Sequence, residues 1–238
     1  MTAPSVAQTV IGGGTAVSSF TLASWTPGAN AYVDVAISLR DRPIGVTVTG
    51  VSGNGITFAL VAAIEGTQAQ ERSERWRGQV ASPSTGQITV SLSATCNAAS
   101  AVAHSISGAA VGNNGADAVD VFANADTGAT DTTAPSVNVT TTGADRLVIG
   151  SCSHRAAVFT LGVGETALSL NNTVGTAGDE TRCSTEYQVV AAASSVTING
   201  TLGTATDWTM IAVAIKPATL APPPALFAPR MSPALLAR

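Results

Sequence analysis

Two histidines and three cysteines are the residues best suited to covalent chemistry, and their spacing restricts what that chemistry could be. Cys152 and His154 stand two apart, so on a strand they project to one face, the arrangement that would hint at a thiolate beside a base. No acid lies near them in sequence, and the expected reading is a packed thiol with a surface imidazole. His104 falls in another strand-like stretch, and the chain has no Gly-x-Ser-x-Gly turn to present a serine nucleophile. Cys96, Cys152 and Cys183 are an odd number without zinc spacing, which predicts small buried residues or free thiols. No catalytic residue, metal or other cofactor is expected. Asp117, Asp120, Asp126 and Asp131 crowd into Gly-rich sequence, as calcium loops do, but lack the alternating ligand order of a defined calcium motif. A solvated loop is the expectation there.

Aromatic residues offer a binding chemistry instead. In Glu71-Arg72-Ser73-Glu74-Arg75-Trp76-Arg77 a strand would turn Arg75 and Arg77 one way and Glu74 and Trp76 the other. A Trp flanked by Arg can stack on a sugar, and Asp207-Trp208 and Tyr187 invite the same reading. Trp76, Tyr187 and Trp208 are therefore the candidate glycan-binding residues, against the plainer possibility that they anchor strands from within.

The elements positioning these residues are strands. Ala31 to Leu39 alternates Tyr32, Asp34, Ala36 and Ser38 with Val33, Val35, Ile37 and Leu39, the period of a half-buried strand. Further strands are predicted at 18–24, 45–51, 56–64, 74–80, 87–93 and 101–107, parted by turns such as Ser52-Gly53-Asn54-Gly55 and Ser82-Pro83-Ser84-Thr85-Gly86. No stretch carries a helical stripe. The fold class expected is an all-β, antiparallel β-sandwich, jelly-roll-like.

The second half of the chain echoes the first at an offset of roughly 110 residues. Residues 32–40 answer to 147–155, each ending in Arg; 74–80 answers to 185–190; 88–90 to 196–198; and 101–106 to 210–215. Two internally similar halves follow, residues 17–108 and 134–216 within a sandwich spanning 1–216, either sharing one core or standing as two sandwiches. Gly108 to Thr133 is the expected seam. Residues 217–238 form a Pro-rich arm holding six of the eleven prolines, with Leu226, Phe227, Met231, Leu235 and Leu236 spaced along it as candidate partner-binding anchors.

Composition narrows the partners. Of 238 residues, 45% are hydrophobic but only 11% charged and 4% aromatic, because Ala (42) and Thr (31) dominate. That balance, with a mean hydropathy of +0.30, excludes intrinsic disorder. A net charge of −4, with ten Arg and a single Lys, gives no basic face for nucleic acid. No apolar run is long enough for a membrane helix, and Met1 to Ser19 lacks the layout of a secretory signal. Neither nucleic acid nor membrane is expected as a partner.

The stretch from Tyr32 to Ile64, the Glu74-Arg75-Trp76 strand, the 81–93 turn and strand, and the closing Asp207 to Pro217 together resemble a β-sandwich module of about 200 residues. Such modules occur in structural proteins of tailed phages and in bacterial surface proteins, and the resemblance covers Val17 to Pro217. It implies a non-enzymatic virion structural protein, a capsid decoration, head-fibre or other surface subunit. Such a subunit would assemble in the host cytoplasm with other virion proteins, as a homo-oligomer held by its arm. The alternative, resting on Trp76, Tyr187 and Trp208, is a carbohydrate-binding or adhesin module recognising a cell-surface glycan.

Overall fold

A computed structural model describes residues 1–41, 45–68, 70–155, 157–176 and 178–219. The anchors Leu226, Phe227, Met231, Leu235 and Leu236 lie outside these. The described chain is antiparallel β throughout, apart from one 3-10 turn at Asn113–Ala118.

The first half contains β1 (Ser5–Thr21), β2 (Tyr32–Arg40), β3 (Val48–Gly53), β4 (Ile56–Thr57), β5 (Ala59–Glu65), β6 (Glu71–Gln79) and β7 (Thr89–Ser107). They form one sheet in the order β4-β3-β7-β2-β6-β5, with β1 on the other edge of β7. At 19 residues, β7 belongs to two layers. Its start pairs β3 (Val51 opposite Val90) and its end pairs β2 (Val35 opposite Ala103). β1 follows β7 around this corner with a register shift between Val17 and Ser19, the bulge that a bent strand pair needs. The sheet thus curls on itself around a core of Val33, Val35, Ile37 and Leu39 against Val48, Val51, Ile88, Val90 and Leu92. The expected turns close it. Asn54, with φ 53°, sits in the first turn and donates Nδ2 to the carbonyls of Trp25 and Ser84 at 3.0 and 2.9 Å.

The second half contains β8 (Val119–Asp126), β9 (Ser136–Thr140), β10 (Arg146–His154), β11 (Phe159–Leu161), β12 (Thr166–Val174), β13 (Thr181–Val190), β14 (Ser195–Leu202) and β15 (Trp208–Ile215). Its sheets run β12-β13-β10-β15-β8 and β11-β14-β9. The first half's inner layer runs β5-β6-β2-β7-β1, so β12, β13, β10, β15 and β8 take the places of β5, β6, β2, β7 and β1 in the same chain order. In the outer layer β14 takes the place of the start of β7, and β9 that of the end of β1, so each long strand of the first half is two strands in the second. The sequence echoes land on these equivalent strands. Residues 108–133 contain the 3-10 turn and β8. Val137, Val139, Val148, Cys152, Phe159, Ile198, Trp208 and Met210 fill the second core.

The halves then pack inner face to inner face. β2 lies on β10, β6 on β15 and β10, and β5 on β8 and β15; reciprocally, β13 lies on β7 and β2, and β12 on β1 and β7. Exchanging equivalent strands leaves this contact pattern unchanged, which is the signature of an isologous two-fold interface, here within one chain. Four β-layers result. The expectation of a half-buried β2 is corrected accordingly: all nine of its residues are buried, because Tyr32, Asp34, Ala36, Ser38 and Arg40 meet the second half rather than water.

Candidate functional site: the buried seam

Alternation on β2 and β6 points Asp34 and Arg75 into the seam. There Arg75 Nε donates to Asp34 Oδ1 at 2.8 Å and Nη2 to the Ile149 carbonyl of the other half at 3.2 Å. Both side chains are fully buried. His104, directly opposite Asp34 in register, accepts or donates through Nδ1 to Thr9 Oγ1 at 3.0 Å. Asp34 Oδ2, Arg75 Nη1, His104 Nε2 and Tyr32 Oη are buried and find no hydrogen-bond partner among the described residues. Burial pushes the Asp34 carboxyl up, opposed by the charge and hydrogen bond of Arg75. It raises the Tyr32 phenol and, aided by Arg75, takes the His104 imidazole down to about 3.

A second charged pair closes the seam at the far end of β2. Arg40 Nη1 meets Glu71 Oε1 at 3.0 Å, and Nη2 meets Gln70 Oε1 at 3.0 Å. The other oxygen of Glu71 accepts from Ser153 Oγ at 2.9 Å and Thr181 Oγ1 at 3.0 Å, both from the second half. Desolvation lifts this carboxyl to about 7, against Arg40 and both hydroxyls. Ser73 and Thr209 add a hydroxyl contact at 2.7 Å. Asp207 is buried with both oxygens unpartnered, and burial followed by the charge of Asp131 lifts it to about 6.

Cys152 and His154 do share a strand face, but it is the face that looks into the second core. The surface imidazole expected of His154 is corrected: the ring is fully buried and stacks on Phe159 at 5.8 Å between centroids. The Arg155 carbonyl, 2.9 Å from Nδ1, can only accept, so Nδ1 carries the proton and Nε2 accepts from Ser184 Oγ at 3.0 Å. Burial lowers His154 to about 4 and raises the Cys152 thiol well above its usual value, so neither is poised to act. All three cysteines are buried and free, as the sequence leads one to expect. Glu186, on the same face of β13, has both carboxyl oxygens buried without partners and opposes Gly150 in register.

The candidate glycan residues do not share an exposed face. Trp76 packs half-buried on the first core with Nε1 donating to Glu74 Oε2 at 3.0 Å. Trp208 is buried in the second core and donates to Thr132 Oγ1 at 2.8 Å. Tyr187 packs on the seam cluster with Leu147 and Ile149. As the strand alternation predicts, Arg75 faces the seam while Glu74 and Trp76 face the core. The four clustered aspartates turn to separate partners. Asp117 takes Asn113 Nδ2, Asp120 takes Arg146 and Thr142, Asp126 takes the Thr67 amide and Asp131 takes Gln68. Among the described residues no group of three acids, histidines or cysteines is placed to hold a metal.

Sequence reasoning missed Arg40, Glu71, Asp34 and His104 as one seam. The signal lay in the echo itself: its strand at 210–215, apolar on both faces, needs a second sheet over it. Chemically, the arrangement holds one sheet to the other through side chains that no solute reaches while the halves are joined. Comparison with protein-family models, with curated proteins and with solved structures found no match to this chain.

Proposed function

We propose that this chain is a non-enzymatic structural subunit of a phage particle surface, a decoration, head-fibre or similar component that presents a twinned sandwich outward. The observation that carries the reading is the seam. The groups best able to do chemistry, Asp34, Arg75, His104, Arg40 and Glu71, are fully buried; Arg75, Glu71 and Arg40 reach across the seam to Ile149, to Ser153 and Thr181, and to Gly178, while Asp34 and His104 bond within the first half. A body built that way suits display and cohesion. The resemblance of residues 17–217 to virion sandwich modules agrees with it, as does a chain of only 11% charged residues. Residues 217–238 are the fastening element in this reading. The described chain leaves the body beside its own N-terminus, where Ala218 donates to Gly108 and borders a hollow with Met1 and Thr2. Leu226, Phe227, Met231, Leu235 and Leu236 then supply apolar anchors to neighbouring virion proteins.

Sedimentation and particle binding of the full chain beside a version ending at Pro217 test this. A folded truncated body that no longer joins particles supports the reading. Identical behaviour of both versions, with neither joining particles, overturns it.

A further inference from the structure

The outer edge of the second half carries an unusual combination of features. Among the described residues β8 has a hydrogen-bonded neighbour, β15, on one side only. From Val121 to Ala125 it holds no charge and no proline, the usual guards of a free edge. The acids bracketing that stretch are occupied inside the chain: Asp120 with Arg146 at 3.0 Å, and Asp126 with the Thr67 amide at 2.6 Å. Phe122 is half exposed, whereas Phe20 and Phe159 are buried in the two cores. Beside it, Leu60 of the neighbouring edge strand β5 is 47% exposed.

These two side chains line one hollow of about 260 Å³ with Val61, Ala116, Val119 and Arg77. The hollow is the open rim of the seam, since Val61 and Val119 also pack on the apolar cluster joining the halves. An interface already present within the chain thus continues to the surface here. A projecting phenyl group stands next to a recess walled by aliphatic side chains and an Arg guanidinium, which can receive an aromatic ring. Knob and hole side by side are self-complementary under a two-fold axis.

We propose that a second copy of this chain docks here, the two β8 strands pairing antiparallel about a two-fold axis near Phe122, with each Phe122 entering the partner's recess. The five-stranded inner sheet then runs through ten strands across the dimer. This contact is independent of residues 217–238.

The test is sedimentation equilibrium of the full chain, wild type, Phe122→Ser and Leu60→Asp, with hydrogen exchange of the 121–125 amides at low and high protein concentration. Both substitutions fall on exposed positions, and unchanged circular dichroism identifies variants that still fold. The expected result is a wild-type dimer whose dissociation constant rises tenfold or more in each variant, with 121–125 amides protected only at high concentration. As a check on folding effects, Phe122→Cys should cross-link between chains through a short bis-maleimide. A monomeric wild type overturns the proposal. So does an oligomer indifferent to both substitutions, including one lost only when residues 218–238 are removed.

Discussion

Replacing Arg75 by Met tests whether the seam is held by charge. The substitution keeps the long apolar stem but removes the bond to Asp34 Oδ1 at 2.8 Å and the bond to the Ile149 carbonyl at 3.2 Å. A fully buried Asp34 would remain with no cation, and stranding one member of a buried pair typically costs about 3–5 kcal/mol. Against a typical total stability of roughly 5–15 kcal/mol that is a large fraction. For a chain of this size each kcal/mol lowers Tm by about 2–4 °C, so the expected fall is about 6–20 °C. The double variant Asp34→Leu with Arg75→Met replaces the pair by apolar groups and is expected to recover most of the loss, because neither charge is then desolvated. Urea unfolding followed by tryptophan fluorescence is the assay. Trp25 and Trp76 report on the first core and Trp208 on the second. Loss of the Ile149 bond weakens the tie between halves, so the single variant is also expected to broaden the transition. The reasoning is refuted if Arg75→Met lies within about 1 kcal/mol of wild type, or if the double variant is no better than the single one.

Three further outcomes are expected. Gly150→Ala places a methyl group 2.4 Å from Ile198 Cγ2 and 2.5 Å from Glu186 Oε1, an overpacking that should cost about 1–3 kcal/mol in thermal unfolding. Glu186→Gln should flatten the pH dependence of stability. Burial raises this carboxyl well above its ordinary value, so its contribution is intact below about pH 4.5 and is lost progressively as pH rises towards the folded-state value. The gain of the variant over wild type should therefore grow between pH 5 and 8 in denaturation at several pH values; a constant difference would contradict it. The thiols of Cys96 and Cys183 are pushed up to about 11 and Cys152 is raised too, so none should react with a thiol reagent at pH 8 until the chain is unfolded in denaturant.

What the sequence made legible was whatever depends on neighbours close along the chain. Alternation in Ala31–Leu39 identified β2, and the turns at 52–55 and 82–86 were plain from Gly, Asn and Pro. The echo located equivalent strands because β-pairing preserves the spacing of apolar positions. Long-range burial was harder to read. Asp34, Ser38 and Arg40 look like a wetted face because what covers them lies far along the chain: Gly178 O accepts from Arg40, Ile149 O accepts from the Arg75 that pairs with Asp34, and Ser153 and Thr181 donate to the Glu71 that pairs with Arg40. The strand predicted from residue 18 begins at Ser5. Gly12 is required where β1 passes Thr21 and Leu22: a Cβ there would collide with the Thr21 carbonyl oxygen. The predicted 87–93 and 101–107 strands are the two ends of one β7. The segment between them, Ala94 to Ser100, is small and polar, with no alternation to mark a strand turning a corner.

The pairing of β1 with β7 also governs how the chain can be made. Ser5 meets Ser107, 102 residues later, so β1 leaves the ribosome without its partner until most of the first half has followed. At typical synthesis rates of about 5–20 residues per second the wait is roughly 5–20 s. Throughout that interval an uncharged, proline-free strand of 17 residues is available to any similar strand, including that of a nascent chain on an adjacent ribosome. Polysomes packed with this message therefore run a contest between folding within one chain and swapping of β1 between chains, and slowing translation before residue 107 should tilt that contest toward the entangled product.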